Sequence, residues 1–200
     1  KLADLSKGFP EGVHYHMGYD PTEFIRVSMR EIVETLIETL ILVVVITYLF
    51  LQNWRATLIP TLAIPVSIMA TFLPLYLLGF SINLLTMFAL ILVIGSLVDD
   101  AIVVAEGVTR IMDEEGLPAK EATIKCMEEL TGAIIATTLV ILAIYAPIGF
   151  YGGMVGKIYL QFSVTMCISL LFSGVNALTL SPALCVLLFK PKKPSKFNIF

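Results

Sequence analysis

Five apolar runs dominate this chain, and each is close to the roughly 20 residues of helix that a bilayer core demands. They cover about Ile32–Leu51, Leu58–Leu78, Leu84–Glu106, Leu130–Phe150 and Phe162–Phe189. Inside hydrocarbon a backbone must satisfy its own hydrogen bonds, so continuous runs of this length read as membrane-spanning helices. Charged residues make up 14% of the chain and hydrophobic residues 58%, against about 25% charged in ordinary soluble domains. The expected fold class is therefore an all-α membrane protein, a bundle of about five transmembrane helices in contact with the lipid bilayer. Pro60, Pro65, Pro74, Pro147 and Pro182 fall within the runs, where neighbouring helices can satisfy the freed carbonyls.

The links between the runs set the orientation. With alternating spans, one side holds Arg55, Arg110, Lys120, Lys125, Lys190, Lys192, Lys193 and Lys196, and the other short links hold only Lys157. The basic side is expected to be cytoplasmic. Residues 1–30 then lie outside as a short N-terminal strand or arm of a larger external domain. Within it Val13-His14-Tyr15-His16-Met17 alternates, with both histidines on one face. A solvated strand face is the better reading of that pair than a metal site. Asp20-Pro21-Thr22 reads as a turn into the first span. Residues 107–129 read as a polar cytoplasmic connector, helical in part and broken at Glu114-Glu115-Gly116-Leu117-Pro118. The start, Lys1-Leu2-Ala3-Asp4-Leu5, resembles no signal peptide and reads as the interior of a longer protein.

Several function classes drop out. The formal charge of −3 suggests no nucleic-acid partner. The cysteines lack metal-ligand spacing. Cys167 and Cys185, on what reads as one helix, are about 27 Å apart and cannot pair. No cofactor motif is present, and a non-enzymatic role is expected.

The third run contains the chemistry. In Gly95-Ser96-Leu97-Val98-Asp99-Asp100-Ala101-Ile102-Val103-Val104-Ala105-Glu106 two adjacent acids interrupt an apolar stretch, with no Lys or Arg nearby in sequence. Asp99 lies roughly 6 Å past the middle of its span at helical rise. An ionised side chain at mid-bilayer costs about 2.5–3.5 kcal/mol on insertion scales. Two adjacent carboxylates in an apolar setting can share a proton and release it when a cation approaches. Asp99 and Asp100 are thus candidate proton or cation relay residues, unless the span ends early and they touch water. Glu106, seven residues beyond Asp99, is a possible secondary site, although an interfacial position is the better reading. Gly95 and Ser96 would let another helix approach. No basic residue in any run could pair with the acids, so a cationic partner is expected from elsewhere. Asn176, within the fifth run, reads as one end of a helix-to-helix hydrogen bond.

The stretch Gly95–Val104 closely resembles the fourth transmembrane helix of RND (resistance-nodulation-division) multidrug efflux pumps, hydrophobe/amphiphile branch. Further blocks resemble the same family in the same order. They are Gln52-Asn53-Trp54-Arg55-Ala56-Thr57-Leu58-Ile59-Pro60, Gly79-Phe80-Ser81-Ile82-Asn83, Glu114-Glu115-Gly116-Leu117-Pro118 and Ser181-Pro182-Ala183-Leu184-Cys185. The resemblance implies a fragment covering spans two to six of a 12-span, proton-driven inner-membrane drug exporter of a Gram-negative bacterium. It implies a homotrimer working with a periplasmic adaptor and an outer-membrane channel. Residues 1–30 would be the tail of a periplasmic porter subdomain, 31–189 the transmembrane helices and 190–200 the start of a cytoplasmic interfacial segment. Asp99 and Asp100 would be the family's paired relay aspartates, and their partner Lys and Arg would lie in the missing second half. Glu106-Gly107 departs from the family's frequent Glu-Asn, so the helix is expected to end or bend sooner. The metal-exporting branch usually lacks this adjacent pair and is disfavoured. Two other readings stay open, a passive scaffold with structural acids and a cation conduit.

Overall fold

The computed structural model describes residues 21–189 together with Gly8 and Pro10. The strand expected at residues 13–17, His14 and His16, and the interfacial segment at 190–200 lie outside the described residues.

Residues 21–189 form an all-helical membrane bundle with five helical segments long and apolar enough to span a bilayer. In chain order the elements are α1 (Pro21–Leu51), α2 (Trp54–Leu77), α3 (Leu84–Glu115), α4 (Ala119–Tyr145), a 3₁₀ turn (Ala146–Phe150), α5 (Gly153–Leu178) and α6 (Leu180–Leu188). Helix α1 begins well before the expected Ile32, inside the segment read as an arm. Pro21 suits a first helical position, where its missing N–H costs nothing. The charges that follow are good helix formers, and Arg30 pairs with Glu34 one turn on at 3.2 Å. Apolarity starts at Ile32, but helix does not require it.

Local chemistry sets the other boundaries. Gln52 adopts φ 46°, turning the chain between α1 and α2, and the Asn53 side chain caps α2 by accepting from the Arg55 N–H. Asn83 and Thr86 form a reciprocal capping box at the start of α3. At the far end Gly116 takes the left-handed φ of 67° that stops a helix, and Pro118 follows as the N-cap of α4. The polar connector is therefore the ends of two continuous helices joined by residues 116–118. Helix α3 does not end at Gly107 but runs eight residues further. Pro147, with no N–H to donate, coincides with the change from α4 to a 3₁₀ turn. Pro182 likewise cannot serve the carbonyl of Leu178, and the last apolar run breaks at Thr179 into α5 and α6.

Helix α3 is central. It touches every other helix, and its most extensive contact is with α5. Lipid tails are as apolar as leucine, so helices in a membrane associate through close packing and hydrogen bonds. Small side chains permit that packing here: Ala89, Ala101 and Ala105 of α3, Ala56 and Ala63 of α2 and Ala177 of α5 are buried. Gly107 of α3 faces Cys126 of α4, whose thiol is buried with Sγ 3.9 Å from the Val104 carbonyl. At the same end Lys125–Glu115 (2.5 Å) and Arg110–Glu129 (3.7 Å) link α3 to α4 on the surface.

Candidate relay site

The two aspartates sit in the middle of α3 but on different sides of it. Successive residues of a helix point about 100° apart, and the packing makes that difference matter. Asp100 is half-buried and turned toward α5, where Ser173 Oγ donates to its Oδ2 at 2.9 Å. Asp99 is exposed. Among the described residues no hydrogen bond or ion pair reaches it, and no cation pairs with either acid.

Asp99 belongs to a stripe. Phe88, Leu92, Gly95, Asp99, Val103 and Glu106 are all exposed, at intervals of three and four residues, while most residues between them are buried. A side chain built at Gly95 would meet nothing within 4 Å. Among the described residues, the part of this face around Gly95 and Asp99 is left open, and a carboxylate lies at its centre. The two acids, adjacent in sequence, thus have different surroundings.

Glu106 lies two turns from Asp99 on the same stripe. It lines a cavity of about 360 Å³ between α1 and α3, with Thr47, Phe50, Ile102, Arg110 and Asp113 also in its wall. Arg110 and Asp113 put charged side chains in the wall of the cavity that Glu106 lines.

Sequence reasoning did not find Ser173. The helices that face each other at this level, α3 and α5, run parallel. Asn83 bonds Gln161 near the start of both, and Asp100 bonds Ser173 further along both. Close to Ser173, Asn176 Nδ2 donates to Ser67 Oγ of α2, an interhelical bond of the kind the sequence suggests for Asn176. The available signal was the small-residue spacing Ser169, Ser173, Ala177 on α5, all buried. No cluster of three or more metal-ligating side chains occurs among the described residues.

A family model described as the AcrB/AcrD/AcrF family matches residues 1–200. The multidrug export protein AcrF of Escherichia coli is 50% identical over 191 residues, 96% of this chain and 18% of AcrF. The toluene efflux pump membrane transporter TtgB of Pseudomonas putida is 50% identical over 197 residues, 98% of this chain and 19% of TtgB. The multidrug resistance protein MdtF of Escherichia coli is 48% identical over 190 residues, 95% of this chain and 18% of MdtF. The chain spans less than a fifth of the length of these relatives.

Proposed function

The chain belongs to the AcrB/AcrD/AcrF family of RND multidrug efflux transporters, and on that premise we propose that it is part of a proton-driven exporter of drugs and other amphiphilic compounds. Asp99 and Asp100 are its proton relay. The carrying observation is a pair of adjacent acids in the middle of the central helix, one on an open face and one held by Ser173, with no cation beside them among the described residues. The open stripe of α3 is where a helix from the rest of the pump would bring the missing Lys or Arg. A carboxylate there holds that cation by charge. A proton arriving from the periplasm removes the charge, loosens the pair and lets the helices move. Loss of the proton to the cytoplasm resets it. Such a two-state element can be biased by a proton gradient.

On this reading the exporter is a homotrimer in the inner membrane of a Gram-negative bacterium, joined to a periplasmic adaptor and an outer-membrane channel. Arg55, Arg110 and Lys120 mark the cytoplasmic ends of the helices, and Lys157 lies at a periplasmic end.

Aspartate-to-asparagine exchange tests the relay, because Asn keeps the shape and much of the hydrogen bonding but cannot change charge. Asp99→Asn and Asp100→Asn should each abolish export while expression and assembly persist. Glu106→Gln, two turns nearer the expected cytoplasmic interface, should cost less. Normal drug export by a correctly assembled Asp99→Asn protein would falsify the assignment for that residue.

A further inference from the structure

We propose that Ser173 is a positioning residue of the relay, and that its hydrogen bond ties the protonation state of Asp100 to helix α5. The proposal rests on the relay reading above but concerns a residue outside the acidic pair.

Most hydroxyls of this bundle are satisfied within their own helix. Thr47, Thr61, Thr71, Thr109, Thr165 and Ser169 each donate to the carbonyl four residues back, as hydroxyls in membrane helices commonly do. Ser173 departs from this habit. It is 2% exposed, and its hydroxyl donates across the helix interface to a titratable group at 2.9 Å. A hydroxyl has one proton to give, so this bond excludes the local one.

The bond depends on charge. A carboxylate only accepts, so Ser173 must be the donor. When Asp100 takes up a proton, its oxygens become weaker, neutral acceptors, its new O–H needs an acceptor of its own, and the local bond of Ser173 to the Ser169 carbonyl competes better. No covalent bond of Ser173 breaks; one hydrogen bond between helices is exchanged for one within α5. The other side-chain bonds from α5 to its neighbours among the described residues, Gln161 with Asn83, Ser163 with the Tyr145 carbonyl and Asn176 with Ser67, contain no titrating group. Protonation therefore loosens α5 from α3 at this one level and leaves α5 held to α2 close by.

The charged surroundings are simple. Asp99 is the acid next to Asp100. The charges of α1 stop at Glu38, α2 has Arg55 in its first turn, those of α4 lie between Lys120 and Glu129, and α6 has none. Lys157 of α5 precedes Ser173 by about 24 Å of helix. The titratable side chains Tyr48, Tyr76, Cys126, Tyr145, Tyr159, Cys167 and Cys185 on these elements make no hydrogen bond to Asp100 among the described residues, where its side-chain partner is Ser173.

The test is drug efflux by the intact pump carrying this segment, in proteoliposomes with an imposed proton gradient, followed across a series of pH values. Removing the donor costs the carboxylate, the stronger acceptor, more than the neutral acid. Ser173→Ala should therefore reach half-maximal efflux at a roughly tenfold lower proton concentration, and Ser173→Thr should restore the original profile. An unchanged profile, or a uniform loss at every pH with the midpoint unmoved, overturns the proposal and leaves Ser173 a packing residue. If the alanine protein does not assemble, Ser173→Cys, similar in shape and a weak donor, must show a smaller shift of the same sign, and its absence counts equally against the proposal. Asp100→Asn is measured alongside. Export by that variant sinks the relay reading itself, whereas its failure combined with an unmoved Ser173→Ala midpoint sinks only the role of Ser173.

Discussion

Alanine at Gly107 should change the sign of its effect according to what stands opposite. A Cβ at this position would lie 2.6 Å from Cys126 Sγ and 3.3 Å from Leu130 Cδ1, against the ~3.5–4.0 Å of comfortable apolar contact. Leu130 can swing aside, but Cys126 has one side-chain torsion and is 1% exposed. Roughly 1 Å of separation must therefore come from α3 and α4 themselves, and overpacking of this kind costs about 1–3 kcal/mol. Alanine gains about 0.5–1 kcal/mol over glycine inside a helix, so Gly107→Ala should be destabilising by about 1 kcal/mol net. In a Cys126→Ala background the sulfur is gone while the helical gain remains. There Gly107→Ala should be neutral to stabilising by ~0.5–1 kcal/mol, giving a coupling of about 1–2 kcal/mol between the two sites. The four proteins would be unfolded in detergent and followed by circular dichroism. Equal effects of Gly107→Ala in both backgrounds would refute the close approach of α3 and α4 at this point.

Asn83→Ala should destabilise by about 1 kcal/mol or more, because it removes the α3 cap and the partner of Gln161 together; the readout is the same unfolding curve, and no change would mean that water replaces the cap. Cysteines placed at Lys157 and Lys193 in a cysteine-free background should react with impermeant reagents from opposite sides of the membrane, and equal labelling from the periplasm would overturn the proposed orientation.

The sequence revealed what depends on single residues or long runs. Apolar length marked the spanning helices, and Glu114-Glu115-Gly116-Leu117-Pro118 marked a helix end because only glycine readily takes the left-handed turn found at Gly116. The start of α1 escaped because hydropathy measures contact with lipid, whereas Arg26, Arg30 and Glu31 are ordinary helix formers. Glu106-Gly107 was expected to end or bend the helix sooner, yet Gly107 lies within α3 and serves as a contact surface for Cys126. The aspartates stood out as acids in an apolar run. Their inequality did not, since it depends on Ser173, 73 residues away in the chain, and on which part of α3 is left open among the described residues. Serines are common in membrane helices, and none announces the partner it will meet.

That separation also places α3 at a disadvantage during synthesis. Asp100 enters the membrane before the 73 residues leading to Ser173 have been made, an interval of roughly 4–15 s at about 5–20 residues per second. During that interval its carboxyl has no side-chain partner on α5. Roughly a dozen Leu, Ile, Val and Phe residues between Leu84 and Val104 favour insertion by about 4–8 kcal/mol, and two acids near the centre oppose it by about 5–7 kcal/mol. The nascent helix is thus poised near even odds between membrane and water. The later arrival of α5 adds the Ser173 hydrogen bond and the most extensive packing that α3 makes, which tips that balance toward the membrane.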